Sequence, residues 1–149
     1  MEKIFVFTAG NPDARNHLDV SIKNSINEDM IFRSFEEEYH KELKEINDIA
    51  DGFFAWGAEP GPRNIMNWEE MEKNDYVFCV YQNSYHYIAQ VLSKFHNKRC
   101  AKSIWGLNSE SGSTWEYMYF LTRPEEVDIS VRALGDYLNN GYRGFTRIS

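Results

Sequence analysis

Gly52 to Tyr81 reads GFFAWGAEPGPRNIMNWEEMEKNDYVFCVY, and the order of its parts decides the fold. A strand-like run, Phe53 to Trp56, breaks at Gly57 into a loop carrying Pro60, Gly61 and Pro62. A helix of about two turns follows, with Asn67 and Glu70 at capping-box spacing and Trp68 and Met71 turned inward. Asn74-Asp75 makes the next turn, because Asn tolerates a left-handed backbone, and Tyr76 to Gln82 is a second apolar strand. A Trp at the end of a strand, beside Gly and a Pro/Gly-rich loop, leaves a flat apolar ring at the rim of a sheet. Trp56 is therefore a candidate binding surface.

The flanks extend this pattern of strands and helices. Upstream, Lys3 to Phe7 reads as a strand ended by the turn residues Gly10, Asn11 and Pro12, and residues 13 to 33 read mostly as loop. Ser34 and Glu37 form a capping box. Phe35, Tyr39, Leu43, Ile46 and Ile49 then recur at helical spacing until Gly52. Downstream, Tyr85 to Phe95 pairs back through a hairpin at Asn83-Ser84, and Lys98 to Trp105 forms a basic helix capped by Gly106. Residues 107 to 113 form a Ser/Gly/Asn-rich loop, and Thr114 to Leu121 alternates as a strand that ends before Pro124. A helix from Ser130 to Leu138 and a short strand with Phe145 and Ile148 complete the chain.

At 149 residues this is one domain, residues 1 to 149. Its end straight after a structured element suits the N-terminal part of a longer protein. No stretch approaches a membrane span or a secretory signal, which places the chain in the cytoplasm, away from membrane. Cys79 and Cys100 match no ligand motif and read as free thiols. A net charge of -7 opposes simple nucleic-acid binding, yet the acids concentrate between Glu28 and Asp51, in what reads as a solvated helix face. Lys94, Lys98, Arg99 and Lys102 stand together without an acid among them, so one face can be basic.

The four histidines have no metal-ligand spacing, and glycine phosphate loops and nucleophile elbows are absent, so no cofactor, metal or catalytic residue is expected. Pro12-Asp13 with Glu42-Leu43-Lys44 spells the elements of a Mg²⁺-dependent nuclease. On a helix of ~3.6 residues per turn, however, Glu42 and Lys44 point about 200° apart and cannot share a metal.

The remaining signal is aromatic. Trp56-Gly57, Arg63-Asn64, Trp68-Glu69-Glu70-Met71 and Asp75-Tyr76-Val77 together resemble the EVE-type members of the PUA-like superfamily, relatives of the YTH readers of methylated adenine. The longer set, Phe5 to Pro12, Lys94 to Asn97, Trp105-Gly106 and Thr114 to Tyr117, resembles the N-terminal modified-DNA-reading domains of McrB-type restriction systems; one departure is Asn74, where Gly is usual.

The resemblance implies an α+β fold, a six-stranded, strongly curved mixed β-sheet or open barrel flanked by helices. It also implies a non-catalytic module that swings a modified base, N6-methyladenine or a 5-substituted cytosine, out of double-stranded DNA into an aromatic cage. By position, Trp56 and Trp105 would be the cage walls, Asn11 a reader of the base edge, and Trp115 a floor or core residue, with Gly57 and Asn64 beside them. Lys94, Lys98, Arg99, Lys102 and Arg143 would hold phosphates. The partners implied are an oligomeric nucleotide-hydrolysing motor and a nuclease subunit of a restriction complex directed against phage. Reading of modified RNA, or binding of a peptide or small ligand in the same pocket, are the alternatives.

Overall fold

The computed structural model describes residues 2–135 and 144–148. The order of elements is β1 (Ile4–Thr8), α1 (Pro12–Ser21), α2 (Glu28–Arg33), α3 (His40–Ala50), β2 (Phe54–Ala58), α4 (Pro62–Glu70), β3 (Tyr76–Tyr81), β4 (Ser84–His96), α5 (Lys98–Trp105), β5 (Tyr117–Leu121), β6 (Glu125–Ser130) and β7 (Thr146–Arg147), with 3-10 turns at Glu37–Tyr39 and Val131–Leu134. Seven strands form one open mixed sheet in the order β2-β5-β4-β3-β1-β7, and β6 pairs with β4. The count is therefore one more than the six expected.

β4 is the spine of this sheet. Its thirteen residues are long enough to serve three partners. Its first half pairs with β3 and β6, its second half with β5, and register shifts between Val91 and Ser93 and between Tyr85 and Tyr87 bend the ladder. The β3–β4 hairpin turns on Gln82 and Asn83, with φ of 51° and 62°, both in the left-handed region that the primed hairpin turns require. Asn74 enters β3 at φ 76°, as its residue type predicts. β1 lies parallel to β3 and antiparallel to β7.

Both faces of β2 and β5 are covered. Phe54, Trp56, Tyr119 and Leu121 join Phe5, Phe7, Leu18 and Met71 in one apolar cluster, while Phe53, Ala55, Met118 and Phe120 join Ile31, Leu43, Ile46 and Ile104 in another. This period-2 division follows the alternation legible in residues 114 to 121. Burial pushes the thiols of Cys79 and Cys100 up to about 12, as suits inert core cysteines. None of the described helices is long and apolar enough to cross a membrane.

Several local expectations change. Residues 13 to 33 hold α1 and α2, not a loop. Ser34 closes α2, donating its hydroxyl to the Met30 carbonyl at 2.7 Å, so no capping box opens α3, and Ile49 is 61% exposed rather than part of the stripe. Asn67 lies near the end of α4, not at its start, and its amide donates to the Phe145 carbonyl at 3.1 Å. β2 runs through Gly57 to Ala58, and residues 125 to 130 form β6. The segment from Ser130 begins as a 3-10 turn, and the remainder of that expected helix, including Leu138, lies outside the described residues.

Candidate nucleic-acid interface

A cavity of about 170 Å³ opens between the N-terminal half of α1, the end of β2 and the segment around Trp115. Each side reaches it for a local reason. Asn11 caps α1 by accepting from the Ala14 amide at 2.8 Å, and Pro12 occupies the first turn, where a missing N–H costs nothing. That start places Asp13, Ala14 and His17 on the cavity side, with Leu18 in the core beneath them. The extension of β2 past Trp56 brings Gly57, Ala58 and Glu59 to the same opening.

Gly57 is required there. A Cβ at this position would stand 2.2 Å from the Trp115 carbonyl oxygen and 3.1 Å from Cζ3 of Trp105. The bare Cα lets the 115 backbone cross the strand in close contact. Glu59 fixes the following loop: its carboxylate accepts from the hydroxyls of Ser111 at 2.9 Å and Ser113 at 2.6 Å, and from the Asn108 amide at 3.3 Å. Asn64 donates to the Glu59 carbonyl at 3.0 Å, holding the start of α4 to the same wall.

Of the expected base-binding residues, Asn11, Trp56, Gly57, Asn64 and Trp115 all line this one cavity. Trp56 is only 6% exposed and stacks on Phe7 with centroids 4.3 Å apart, so it is a core ring that presents one edge of the cavity rather than a free rim surface. Trp105 does not line the cavity. Its indole N–H donates to the Ser21 hydroxyl at 3.2 Å, and its ring meets Trp56 at 61° with centroids 6.5 Å apart. Two rings so inclined do not make the parallel walls that a planar base needs. Trp115, half-buried, stands nearer the opening.

His17, which the sequence did not single out, sits among all three indoles. Its ring meets Trp115 at 88° with centroids 4.3 Å apart, and lies 6.1 Å from Trp56 and 5.9 Å from Trp105. Burial lowers its pKa, against smaller opposing effects of Asp13 and Glu59, so the imidazole is neutral at pH 7. Thr8, Asp13, Glu59 and Asn108 also line the cavity without having been singled out for it. The signal for α1 was present in Asn11-Pro12-Asp13, a cap, a first-turn proline and a first-turn acid.

The basic residues distribute differently. Lys94 donates its ammonium to the carbonyls of Trp68 at 2.8 Å and Glu69 at 3.1 Å, closing the C-terminus of α4, and lies 4.8 Å over the Trp68 ring. Lys98, Arg99 and Lys102 are exposed on α5 and do not line the cavity. Arg143 lies outside the described residues. Glu42, of the nuclease pattern, sits on α3 and accepts from the Ser93 hydroxyl at 2.7 Å, whereas Asp13 is at the cavity mouth. Among the described residues no group of three His, Cys, Asp or Glu side chains could hold a metal ion.

Comparison with known proteins bears on the architecture. No protein-family model matches the chain, and no curated protein does. Among solved structures, the YTH domain of Zygosaccharomyces rouxii MRB1, in complex with N6-methyladenosine RNA, is 17% identical with a TM-score of 0.48 over 99% of this chain and 79% of that one. The N-terminal domain of Thermococcus gammatolerans McrB, bound to m5C DNA, is 13% identical with a TM-score of 0.68 over 99% of this chain and 91% of that one. This chain thus has the α+β fold of the McrB N-terminal domain, in keeping with the resemblance carried by its aromatic segments.

Proposed function

We propose that this domain reads a modified base in nucleic acid, taking one base out of a DNA duplex into the cavity between Trp56, His17 and Trp115. The observation that carries the reading is the cavity itself: aromatic rings on its walls, and polar groups at its mouth that have no partner among the described residues, namely the Asn11 amide N–H₂ and the Asp13 carboxylate. Support also comes from the shared fold of a domain solved with methylated DNA.

The energetics suit such a site. Extruding a base costs a few kcal/mol, and stacking on aromatic side chains returns about 1 to 3 kcal/mol per base. A methyl group filling an apolar slot adds about 1 to 3 kcal/mol of discrimination. When ionised, Asp13 can only accept hydrogen bonds, so it would pair with an N–H donor of the base edge, such as the exocyclic amino group of cytosine or adenine. Exposed Lys98, Arg99 and Lys102 would hold flanking phosphates, whereas Lys94 is committed to α4. No step in this reading is catalytic, and a motor and nuclease of a restriction complex would be supplied by other segments or chains.

The carboxylates of Asp13 and Glu59 at the cavity favour one second reading, a small cationic or amine-bearing ligand in place of a base. Fluorescence anisotropy with short duplexes that differ at a single base, unmodified, 5-methylcytosine or N6-methyladenine, at two salt concentrations, separates the two. The reader should prefer one modified duplex by about tenfold, with binding that weakens steeply as salt rises. Equal binding of all duplexes would refute it.

A further inference from the structure

The His17 side chain is only 8% exposed, yet among the described residues its ring has no hydrogen-bond partner, and it lines the cavity. Around it stand Trp56, Trp105 and Trp115, none of which offers it a hydrogen bond. Its ring nitrogens are not fully enclosed, since among the described residues only the Tyr119 hydroxyl is a buried side-chain atom left unpaired; they keep access through the cavity, where a bound group can pair them. A neutral imidazole carries one donor and one acceptor nitrogen in the ring plane, and His17 is held by its indole neighbours as firmly as a core residue.

We infer that His17 is a specificity-determining residue, presenting a ring nitrogen to the hydrogen-bonding edge of the ligand in the cavity between Trp56 and Trp115. This rests on the reading of that cavity as a base site. Asn11 and Asp13 at the mouth then meet the outer part of the base, and His17 the part that enters deepest. Methyl recognition is left to the apolar walls, so His17 selects which base enters, and the walls select whether it is methylated.

The test compares the wild-type domain with H17F, which keeps a planar ring and removes both nitrogens, and with H17N and H17Q, whose amides replace one or the other nitrogen. Binding to the preferred modified duplex, to its unmodified counterpart and to a duplex carrying the other modified base is measured for each, with a thermal melt alongside. H17F should lose about tenfold in affinity for the preferred modified duplex and discriminate it less well from a duplex carrying the other modified base, 5-methylcytosine or N6-methyladenine, and one of the two amide variants should recover part of the loss. Wild-type affinity and selectivity in H17F would overturn the inference. Because a variant can fail to fold, the wild-type protein supplies a second measurement: the ¹⁵N shifts of the His17 ring should move when the modified duplex saturates the site, and unchanged shifts would overturn the inference whatever the variants do. If the wild-type domain binds both duplexes equally, the base-site reading itself fails, and the role of His17 fails with it.

Discussion

Gly57→Ala tests the close crossing on which the cavity depends. The added Cβ would lie 2.2 Å from the Trp115 carbonyl oxygen, where ordinary contact begins at about 3.4 Å, so β2 and the 115 backbone must separate by about 1 Å. The obstacle is backbone on one side and the Trp105 ring, 3.1 Å away, on the other, and neither is the free end of a flexible side chain. Overpacking of this kind costs roughly 1 to 3 kcal/mol, which for a domain of this size lowers Tm by roughly 3 to 10 °C. The variant should still fold cooperatively, with altered tryptophan emission, and should bind the preferred modified duplex several-fold more weakly, because the Trp115 wall has moved. A Gly57→Ala protein with the wild-type Tm, emission and affinity would refute the reasoning that places Trp115 by the absence of a side chain at 57.

Truncating Trp56 and truncating Trp115 should differ. Trp56→Ala removes a core ring stacked on Phe7 and should destabilise by about 3 to 5 kcal/mol. Trp115→Ala, at a half-buried site, should melt closer to wild type while losing selectivity for the modified duplex. Lys98→Glu with Arg99→Glu should weaken binding to modified and unmodified duplexes alike and reduce its salt dependence, with no change in selectivity. Acidification should destabilise the fold in two separate ranges. The pKa of His17 is lowered in the folded state, so its protonation favours unfolding: stability is intact above the ordinary imidazole range and falls as pH drops through it, a step that H17F should abolish. Burial of Asp75 opposes its ionisation, but hydrogen bonds from the Lys3 and Glu72 amides and the nearby Lys3 ammonium outweigh it and lower its pKa. Its contribution is therefore present above the ordinary carboxylate range and lost as pH falls through the depressed value, a second step absent from Asp75→Asn.

What could be read in the sequence were features decided locally. The β3–β4 hairpin, expected at Asn83-Ser84 and found one residue earlier at Gln82-Asn83, the left-handed Asn74, the alternation of β5 and the helix α5 all depend on turn chemistry or periodicity within a dozen residues. Asn97, which caps α5 through the Cys100 amide at 2.9 Å, belongs to the same class. α1 escaped notice because its apolar stripe is thin: His17 and Ser21 occupy positions where Leu or Ile would have revealed it, and its start is marked only by the cap and proline. Features fixed by distant partners were misread. Asn67 resembles a cap but serves Phe145, 78 positions away, and Ser34 resembles one but turns back to Met30.

The site divides along the same line. Trp56 could be named from its neighbours along the chain, whereas Asn11, Gly57, Asn64 and Trp115 were implied only by the family resemblance, and all five line one cavity. Trp105 was assigned to its wall by the resemblance alone, yet its indole N–H bonds to a hydroxyl 84 positions away, on Ser21. The Gly after Trp56, which reads as the end of a strand, instead lies within one that runs on to Ala58, beside the backbone of Trp115. His17 gave no sign at all, since its significance arises only once three indoles from separate segments surround it.

The central claim, that a single modified base occupies the cavity between Trp56 and Trp115, is tested most directly by following the four tryptophan indole N–H resonances during titration with modified and unmodified duplexes. Those of Trp56 and Trp115 should shift and saturate with the modified duplex alone, while that of Trp68, bonded to the Met118 carbonyl at 2.9 Å outside the cavity, stays in place. Equal shifts with both duplexes, or shifts confined to Trp68, would contradict it.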